Sequence, residues 1–274
     1  MLRAHRAVQR RIAQWVWDCP DDALFVRRFQ LANRQWSIPM VVRLNPAGHG
    51  FDVFSDGQTI TVARRSRLHY YKKGAKAREA KLIREYMLER VPFEAGDRVV
   101  DVGANIGEVS RILALRHRVI PIAIEPEERE FRALEANLLH TGGVARNDLA
   151  WSHTDTIRFH DVNDSGDSSV FAPTEASPGR DCRARPLDDI LSGTPAEDGP
   201  IRLLKLEAEG AEPEVLVGAG HALARVEYVT ADVGPERGPT SETTLIPVYE
   251  ALRDAGFHAI AVQHGRLVML FKRG

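Results

Sequence analysis

From residue 98 onward, short apolar runs alternate with stretches in which apolar residues return every three or four positions. Residues 98–102, 119–124, 201–206 and 226–233 are predominantly apolar, as expected of strands covered on both faces. Between them, residues 110–115 and the stretch carrying Phe131, Leu134 and Leu138 have helical spacing. Residues 144–151 and 156–162 read as further strands, and residues 163–183, rich in Ser, Asp, Gly and Pro, read as a loop. A helix over 242–255 leads into two closing strands, 257–262 and 267–271, separated by His264-Gly265. Strands alternating with helices predict an α/β domain built on an open, mostly parallel sheet with helices on both faces. The closing hairpin adds an antiparallel strand at the C-terminal edge.

The first 95 residues follow a different pattern. Strand-like runs at 40–44, 51–54 and 59–63 are punctuated by Asn45-Pro46, Gly48, Gly50 and Asp56-Gly57, which predicts a small antiparallel patch. A helix over 75–90 places Ala80, Ile83, Met87 and Val91 on one face and ends at Pro92 and Gly96-Asp97. The predicted organisation is therefore an N-terminal α+β extension with a cap helix, residues 1–95, followed by the sheet domain, residues 96–274. At the start, Arg3, Arg6, Arg10 and Arg11 interleave with Leu2, Val8, Ile12, Trp15, Val16 and Trp17. That pattern reads as a capping helix whose Trp and Ile face the body, with a transit-like or membrane-surface segment over residues 1–17 as the alternative.

Composition adds constraints. Of 274 residues 43% are hydrophobic and 27% charged, enough for a sizeable core. A net charge of −1 gives no whole-chain argument for nucleic acid. Cys19 and Cys182 have no zinc-like spacing, and neither a secretory core nor a bilayer-length apolar run is seen. The expected location is cytoplasmic.

Ligands of open sheets bind beyond the carboxyl ends of the strands. The first strand ends in Asp101-Val102-Gly103-Ala104-Asn105-Ile106-Gly107, a Gly-x-x-x-Gly turn opening a helix. Glu125 ends the second strand about 20 residues later, where an acid accepts ribose hydroxyls. The three-glycine dinucleotide fingerprint and the Gly-Lys-Ser/Thr of a phosphate loop are both missing. An acid at Asp101 suits a cationic amino-acid ligand better than a pyrophosphate, which predicts S-adenosylmethionine. A second cluster, Lys205-Leu206-Glu207-Ala208-Glu209-Gly210-Ala211-Glu212, closes a strand that should be central. Delivering Lys205, Glu207 and Glu209 from an apolar run costs desolvation unless they face a ligand or one another. His69-Tyr70-Tyr71-Lys72-Lys73-Gly74 adds aromatic and basic groups for an acceptor, with Tyr71 and Lys73 the residues singled out.

Together these segments resemble the FkbM family of S-adenosylmethionine-dependent methyltransferases. The resemblance rests on Val100–Gly107, Glu125-Pro126 and Phe131-Arg132-Ala133-Leu134-Glu135-Ala136-Asn137-Leu138. It extends through Gly166-Asp167-Ser168-Ser169, Pro186-Leu187-Asp188-Asp189 and Leu204–Glu212, in order, over roughly residues 70 to 262. It implies a class I methyltransferase (Rossmann-like) fold and methyl transfer to a hydroxyl of a sugar, polyketide or related small metabolite. By the same resemblance Asp101, Gly103, Ala104, Asn105 and Gly107 hold the methionine end, Glu125 the ribose and Asp148 the adenine. Lys205, Glu207 and Glu209 then lie beside the transferred methyl as catalytic residues. The family has Asp and Val where this chain has Glu207 and Ala208, and a later strand-end glutamate is replaced by Asp232 in Thr230-Ala231-Asp232-Val233-Gly234. A metal is not demanded by the spacing. Two alternatives stand beside this reading: a methyltransferase-like module that binds without turnover, and a nicotinamide-dependent oxidoreductase.

Overall fold

The computed structural model describes residues 2–160, 169–171 and 179–274, with side chains described from residue 10. Gly166-Asp167-Ser168 and most of the expected 163–183 loop lie outside the described residues. The chain divides into two compact units, Met1–Arg78 and Glu79–Gly274.

The first unit begins with α1 (Leu2–Trp17) and α2 (Asp22–Trp36). Asp21 caps α2 by accepting the Leu24 amide at 2.7 Å, and Ser37 ends it in a left-handed conformation. Phe25, Val26, Phe29 and Ala32 form its buried stripe, with Phe25 packed on Trp17, Phe29 and Phe51. This helix, whose apolar spacing is plain in the sequence, is absent from the elements predicted above. The three expected strands are β1 (Val41–Leu44), β2 (Phe51–Ser55) and β3 (Gln58–Val62), an antiparallel sheet in that order. Asp56 and Gly57, both at positive φ, make the two-residue turn between β2 and β3. A 3₁₀ turn over Arg65–Tyr71 buries Leu68 and Tyr71.

The helix α3 (Ala75–Glu85) crosses the division between the units. It stops at Glu85 rather than running on to residue 90, because Met87 adopts a left-handed conformation and Leu88–Arg90 forms a separate 3₁₀ turn. Within the second unit Leu82, Ile83, Tyr86, Met87 and Val91 pack with Val99, Val109, Leu113, Leu203 and Leu270.

The second unit alternates as the pattern predicts: β4 (Arg98–Val102), α4 (Glu108–His117), β5 (Ile120–Ile124), α5 (Glu128–Leu138) and β6 (Val144–Arg146). The expected strand over 144–151 is in fact two strands of different sheets. After β6 the chain turns at Asn147, whose amide side chain donates to the Glu125 and Pro126 carbonyls. It then enters a small sheet of β7 (Leu149–Trp151), β8 (Asp155–His160) and β9 (Gly179–Pro186), ordered β7-β9-β8. Residues 179–183, predicted as loop, thus belong to a strand, held by backbone pairing with β8 despite their polar composition.

There follow α6 (Leu187–Leu191), β10 (Ile201–Leu206), α7 (Glu212–Val217), α8 (Gly220–Leu223) and β11 (Val226–Asp232). A short hairpin, β12 (Pro235–Arg237) and β13 (Glu242–Thr243), takes up the residues expected to begin the last helix, so α9 runs over Leu245–Asp254. The chain closes with β14 (Phe257–Gln263) and β15 (Val268–Arg273).

The main sheet has the order β14-β15-β11-β10-β4-β5-β6. The neighbours β11-β10-β4-β5-β6 are all parallel, and β15 inserts antiparallel between β11 and β14. This is the Rossmann-like class I methyltransferase sheet with its antiparallel hairpin at the C-terminal edge. One face is covered by α6, α7, α8 and α9 through Leu187, Leu191, Val215, Leu216, Val248 and Leu252, all at most 4% exposed. The carboxyl ends of β4, β5, β10 and β11 bring Asp101, Glu125, Glu207 and Asp232 to the same edge.

Candidate functional site

The turn after β4 is fixed from several sides. Gly103 sits at φ +69, and a Cβ there would lie 1.7 Å from the Glu207 carbonyl oxygen. The absent side chain therefore makes room for the neighbouring strand end. Gly107, at φ +78, faces the tip of Leu134 on α5, and Asn137 of the same helix donates to the Ile106 carbonyl at 2.8 Å.

The amides of this turn have partners within the protein. Gly103 and Ala104 both donate to the Ile124 carbonyl, Asn105 to the Glu125 carboxylate and Ile106 to the Asn105 side chain. Gly107 donates to the Ala104 carbonyl. A pyrophosphate needs such amides as donors. With all five engaged internally, the turn is built for a ligand that does not depend on them.

Glu125 is 7% exposed and accepts the Asn105 amide at 2.8 Å on one oxygen and the Glu127 amide at 2.9 Å on the other. Burial pushes its pKa up to about 8, against the lowering effect of those two bonds. Each oxygen retains a further lone pair for a hydroxyl donor. Asp148, in the bend between β6 and β7, pairs with Arg185 at 3.2 Å.

The charged cluster lies across β4, β10 and β11. Parallel pairing sets Asp101 beside Lys205 and Lys205 beside Thr230. Asp101 has no exposed surface: one oxygen accepts the Ser110 hydroxyl at 2.7 Å and the other lies 2.9 Å from the Lys205 ammonium. Lys205 also approaches the Gly103 carbonyl at 3.1 Å and Glu207 at 3.1 Å. Burial opposes its charge, but the Asp101 and Glu207 carboxylates outweigh it and raise the pKa. Glu207 completes the chain of contacts. It accepts the Tyr86 hydroxyl, pairs with Arg266 at 2.6 Å and, despite burial, is held at a pKa of about 2 by Lys205 and Arg266.

Arg266, from the turn between β14 and β15, also lies 2.7 Å from Asp232 and 3.8 Å from Glu236. Burial raises Asp232 to about 6, with the Glu207 charge adding to the effect and Arg266 opposing it. Glu236 is raised as well, by burial and then by the charges of Asp232 and Glu207. The ring of Tyr86 lies between the two cations, 5.1 Å from the Lys205 ammonium and 5.9 Å from the Arg266 guanidinium. Among the described residues no group of three or more His, Cys, Asp or Glu is arranged to hold a metal ion.

Glu209 follows in a left-handed conformation, its carbonyl accepting the Ser169 hydroxyl at 2.9 Å. Glu212 fixes this loop from beneath: one oxygen accepts the Ala208 and Gly210 amides, the other the Thr244 hydroxyl.

The structure thus gathers Asp101, Gly103, Lys205, Glu207 and Asp232 into one connected set, with Ala104, Asn105, Gly107 and Glu125 beside it. Tyr71 and Lys73 belong to the first unit, where Tyr71 is buried and Lys73 exposed. Tyr71 is 2% exposed. Three members of the cluster were not predicted: Tyr86, Arg266 and Glu236. Tyr86 sits beyond a helix end and Arg266 in a hairpin turn, positions that read as ordinary packing and solvated charge.

Comparison with known proteins bears on this geometry. The methyltransferase FkbM domain matches residues 101–268, from the first acid of the cluster to the start of β15. The chain belongs to the FkbM methyltransferase family. Searching curated proteins gives no match. Among solved structures, a precorrin-6y C5,15-methyltransferase from Geobacter metallireducens aligns at 13% identity and a TM-score of 0.41, covering 70% of this chain and 88% of its own. A SAM-dependent methyltransferase from Aquifex aeolicus aligns at 15% identity and a TM-score of 0.41, covering 76% and 92%. No helix among the described residues is long and apolar enough to cross a membrane.

Proposed function

We propose that this FkbM-family methyltransferase uses S-adenosylmethionine to methylate a hydroxyl oxygen of a sugar, polyketide or related small metabolite. The observation that carries the cofactor reading is the turn over residues 103–107, whose amides are all engaged within the protein beside the buried Glu125 carboxylate. Such a turn offers a phosphate little and a ribose an acceptor. Bound there, that cofactor supplies an electrophilic methyl group on a sulfonium.

The residues divide the remaining work. Glu125 would accept the ribose hydroxyls, and Asp148 would meet the adenine end. Asp101, fully buried, acts beneath the turn by holding Lys205 and Ser110 rather than by touching ligand. Glu207, with a pKa of about 2, is a poor base at neutral pH and serves as a fixed anion that orients the acceptor. Glu209 takes the hydroxyl proton as the oxygen acquires its methyl group. Its loop is held in place by Ser169 and Glu212, which favours reproducible geometry. Asp232 borders the acceptor side.

Binding and transfer test this directly. Calorimetry of the full chain should show S-adenosylmethionine binding that weakens at least about tenfold in Glu125→Ala, with no comparable binding of nicotinamide dinucleotide. The reverse preference would overturn the cofactor assignment. Incubation with methyl-labelled cofactor and a metabolite extract should place the label on oxygen; label on nitrogen or carbon would overturn the acceptor class.

A further inference from the structure

The whole-chain charge of −1 conceals a division between the two units. Residues 1–78 carry 15 Lys and Arg against 5 Asp and Glu, a formal +10, while residues 79–274 carry 22 against 33, a formal −11. The acids of the first unit are largely engaged locally. Asp21 caps α2, Asp22 pairs with Arg65 at 2.6 Å, Asp52 accepts from Asn45 and Thr61, and Asp56 accepts the Lys76 amide. α1 holds four arginines and no acid along its 16 residues.

The distribution of these cations is specific. Arg27, Leu31 and Arg34, at i, i+4 and i+7, are exposed on one face of α2. Gln30 and Asn33 tie that helix to the neighbouring backbone, donating to the Val42, Ile38 and Met40 carbonyls. β1 is an outer strand of its sheet, and Val41, Arg43 and Leu44 are exposed on it. Trp15 is 42% exposed, with the Arg28 guanidinium 4.8 Å from its ring. Leu31 therefore stands between Arg27 and Arg34 on the outer face of α2, and further exposed apolar groups, Val41, Leu44 and Trp15, lie elsewhere on the same strongly basic unit.

We infer that the first unit docks onto lipid bilayers rich in anionic headgroups. Charge complementarity alone fits any polyanion. The apolar residue set among the arginines of this face distinguishes a bilayer, because Leu31 gains from entering the acyl boundary while the Arg27 and Arg34 guanidiniums meet headgroup phosphates. A nucleic acid backbone rewards the charges and leaves that apolar group in water. The unit lies on the surface, in keeping with the lack of a spanning helix among the described residues. The inference is independent of the proposed methyl transfer.

Co-sedimentation of the full chain with phosphatidylcholine vesicles, with and without about one-third phosphatidylglycerol, provides the test. Retention is expected on the anionic vesicles only, falling as salt rises. Arg27→Glu with Arg34→Glu should lower the partition coefficient at least about tenfold. Leu31→Asn, which leaves charge unchanged at an exposed position, should lower it severalfold; far-UV circular dichroism establishes that both variants fold. Absence of retention on anionic vesicles overturns the inference. So does Leu31→Asn binding like the parent while duplex DNA is bound with the same salt dependence, which would mark a polyanion site. A salt-sensitive oligomer in sedimentation equilibrium that ignores vesicles assigns the surface to a second copy of this chain and likewise overturns it.

Discussion

Two glycines of the turn after β4 share a left-handed backbone and differ in what stands behind them, which makes alanine at each a matched pair. Either substitution incurs about 1 kcal/mol for placing an L side chain at positive φ. At Gly107 the new Cβ meets Leu134 Cδ1 at 2.4 Å, the far end of a side chain that can rotate for about another 1 kcal/mol. At Gly103 it would stand 1.7 Å from the Glu207 backbone oxygen, which must recede by more than about 1 Å to reach ordinary contact. That movement pulls β10 from β4 at the point where the Glu207 amide donates to the Val102 carbonyl and Lys205 bridges Asp101 and Glu207. Loss of one backbone bond is worth about 1 kcal/mol, and disruption of a buried ion pair about 3 kcal/mol or more. Gly103→Ala should therefore lose about 5 kcal/mol and Gly107→Ala about 2 kcal/mol. Equilibrium urea unfolding followed by far-UV circular dichroism measures both. Equal losses, within about 1 kcal/mol, would refute the idea that Gly103 is required by the neighbouring strand.

Glu125, whose folded pKa of about 8 lies above its ordinary 4.5, disfavours the folded state once the unfolded chain ionises. Relative to Glu125→Gln, wild-type stability should decline from about pH 4.5 to about pH 8 by a few kcal/mol; a pH-independent difference would contradict the assignment. Cofactor binding below pH 8 should also release a proton, seen as a dependence of calorimetric heat on buffer ionisation enthalpy and lost in Glu125→Gln. Glu207 has the opposite sign, its folded pKa of about 2 lying below 4.5. Its stabilisation is present above pH 4.5 and fades as pH falls toward 2, so Glu207→Gln should cost about 3 kcal/mol at pH 7 and progressively less in acid. Unchanged stability of that variant at pH 7 would remove Glu207 from the ion cluster. Glu209→Gln should lower turnover at least about tenfold while leaving cofactor affinity within a few-fold; full activity would exclude it from proton transfer.

The second unit was readable because its strands are buried on both faces. Residues 98–102 and 201–206 are mostly Val, Leu and Ile, each run broken by two charged residues, and the helices between them repeat at the helical period. Elements that depend on pairing were harder to see. β9 carries Arg180, Asp181, Arg183 and Arg185 and is a strand only because β7 and β8 flank it. Strand-end acids were legible for the same reason as the strands: an apolar run that stops on Asp101, Glu125 or Glu207 marks its own carboxyl end. Tyr86 and Arg266 were not, since they reach the cluster from elements distant in sequence, and no local pattern records that Arg266 lies 2.6 Å from Glu207. The charge division was in the sequence throughout, hidden by a sum near zero.

The family's motif residues acquire a common explanation from their contacts. Gly103 is small because Glu207 stands against it, Gly107 faces Leu134, and Asn137 holds the Ile106 carbonyl. Glu125 secures the Asn105 amide, and Lys205 joins Asp101 to Glu207. Each motif segment is thus the supporting contact of another, although the segments lie far apart in sequence. A turn so constrained holds its backbone at one geometry before any ligand arrives, which lowers the ordering cost of binding. It also means that loss of binding after substitution at Gly103 or Asp101 reports first on this scaffold. Glu209, in the loop braced by Glu212, is the position at which an acceptor contact can be separated from the fold, whereas at Glu125 stability has to be measured beside cofactor affinity because the same carboxyl holds the Asn105 and Glu127 amides.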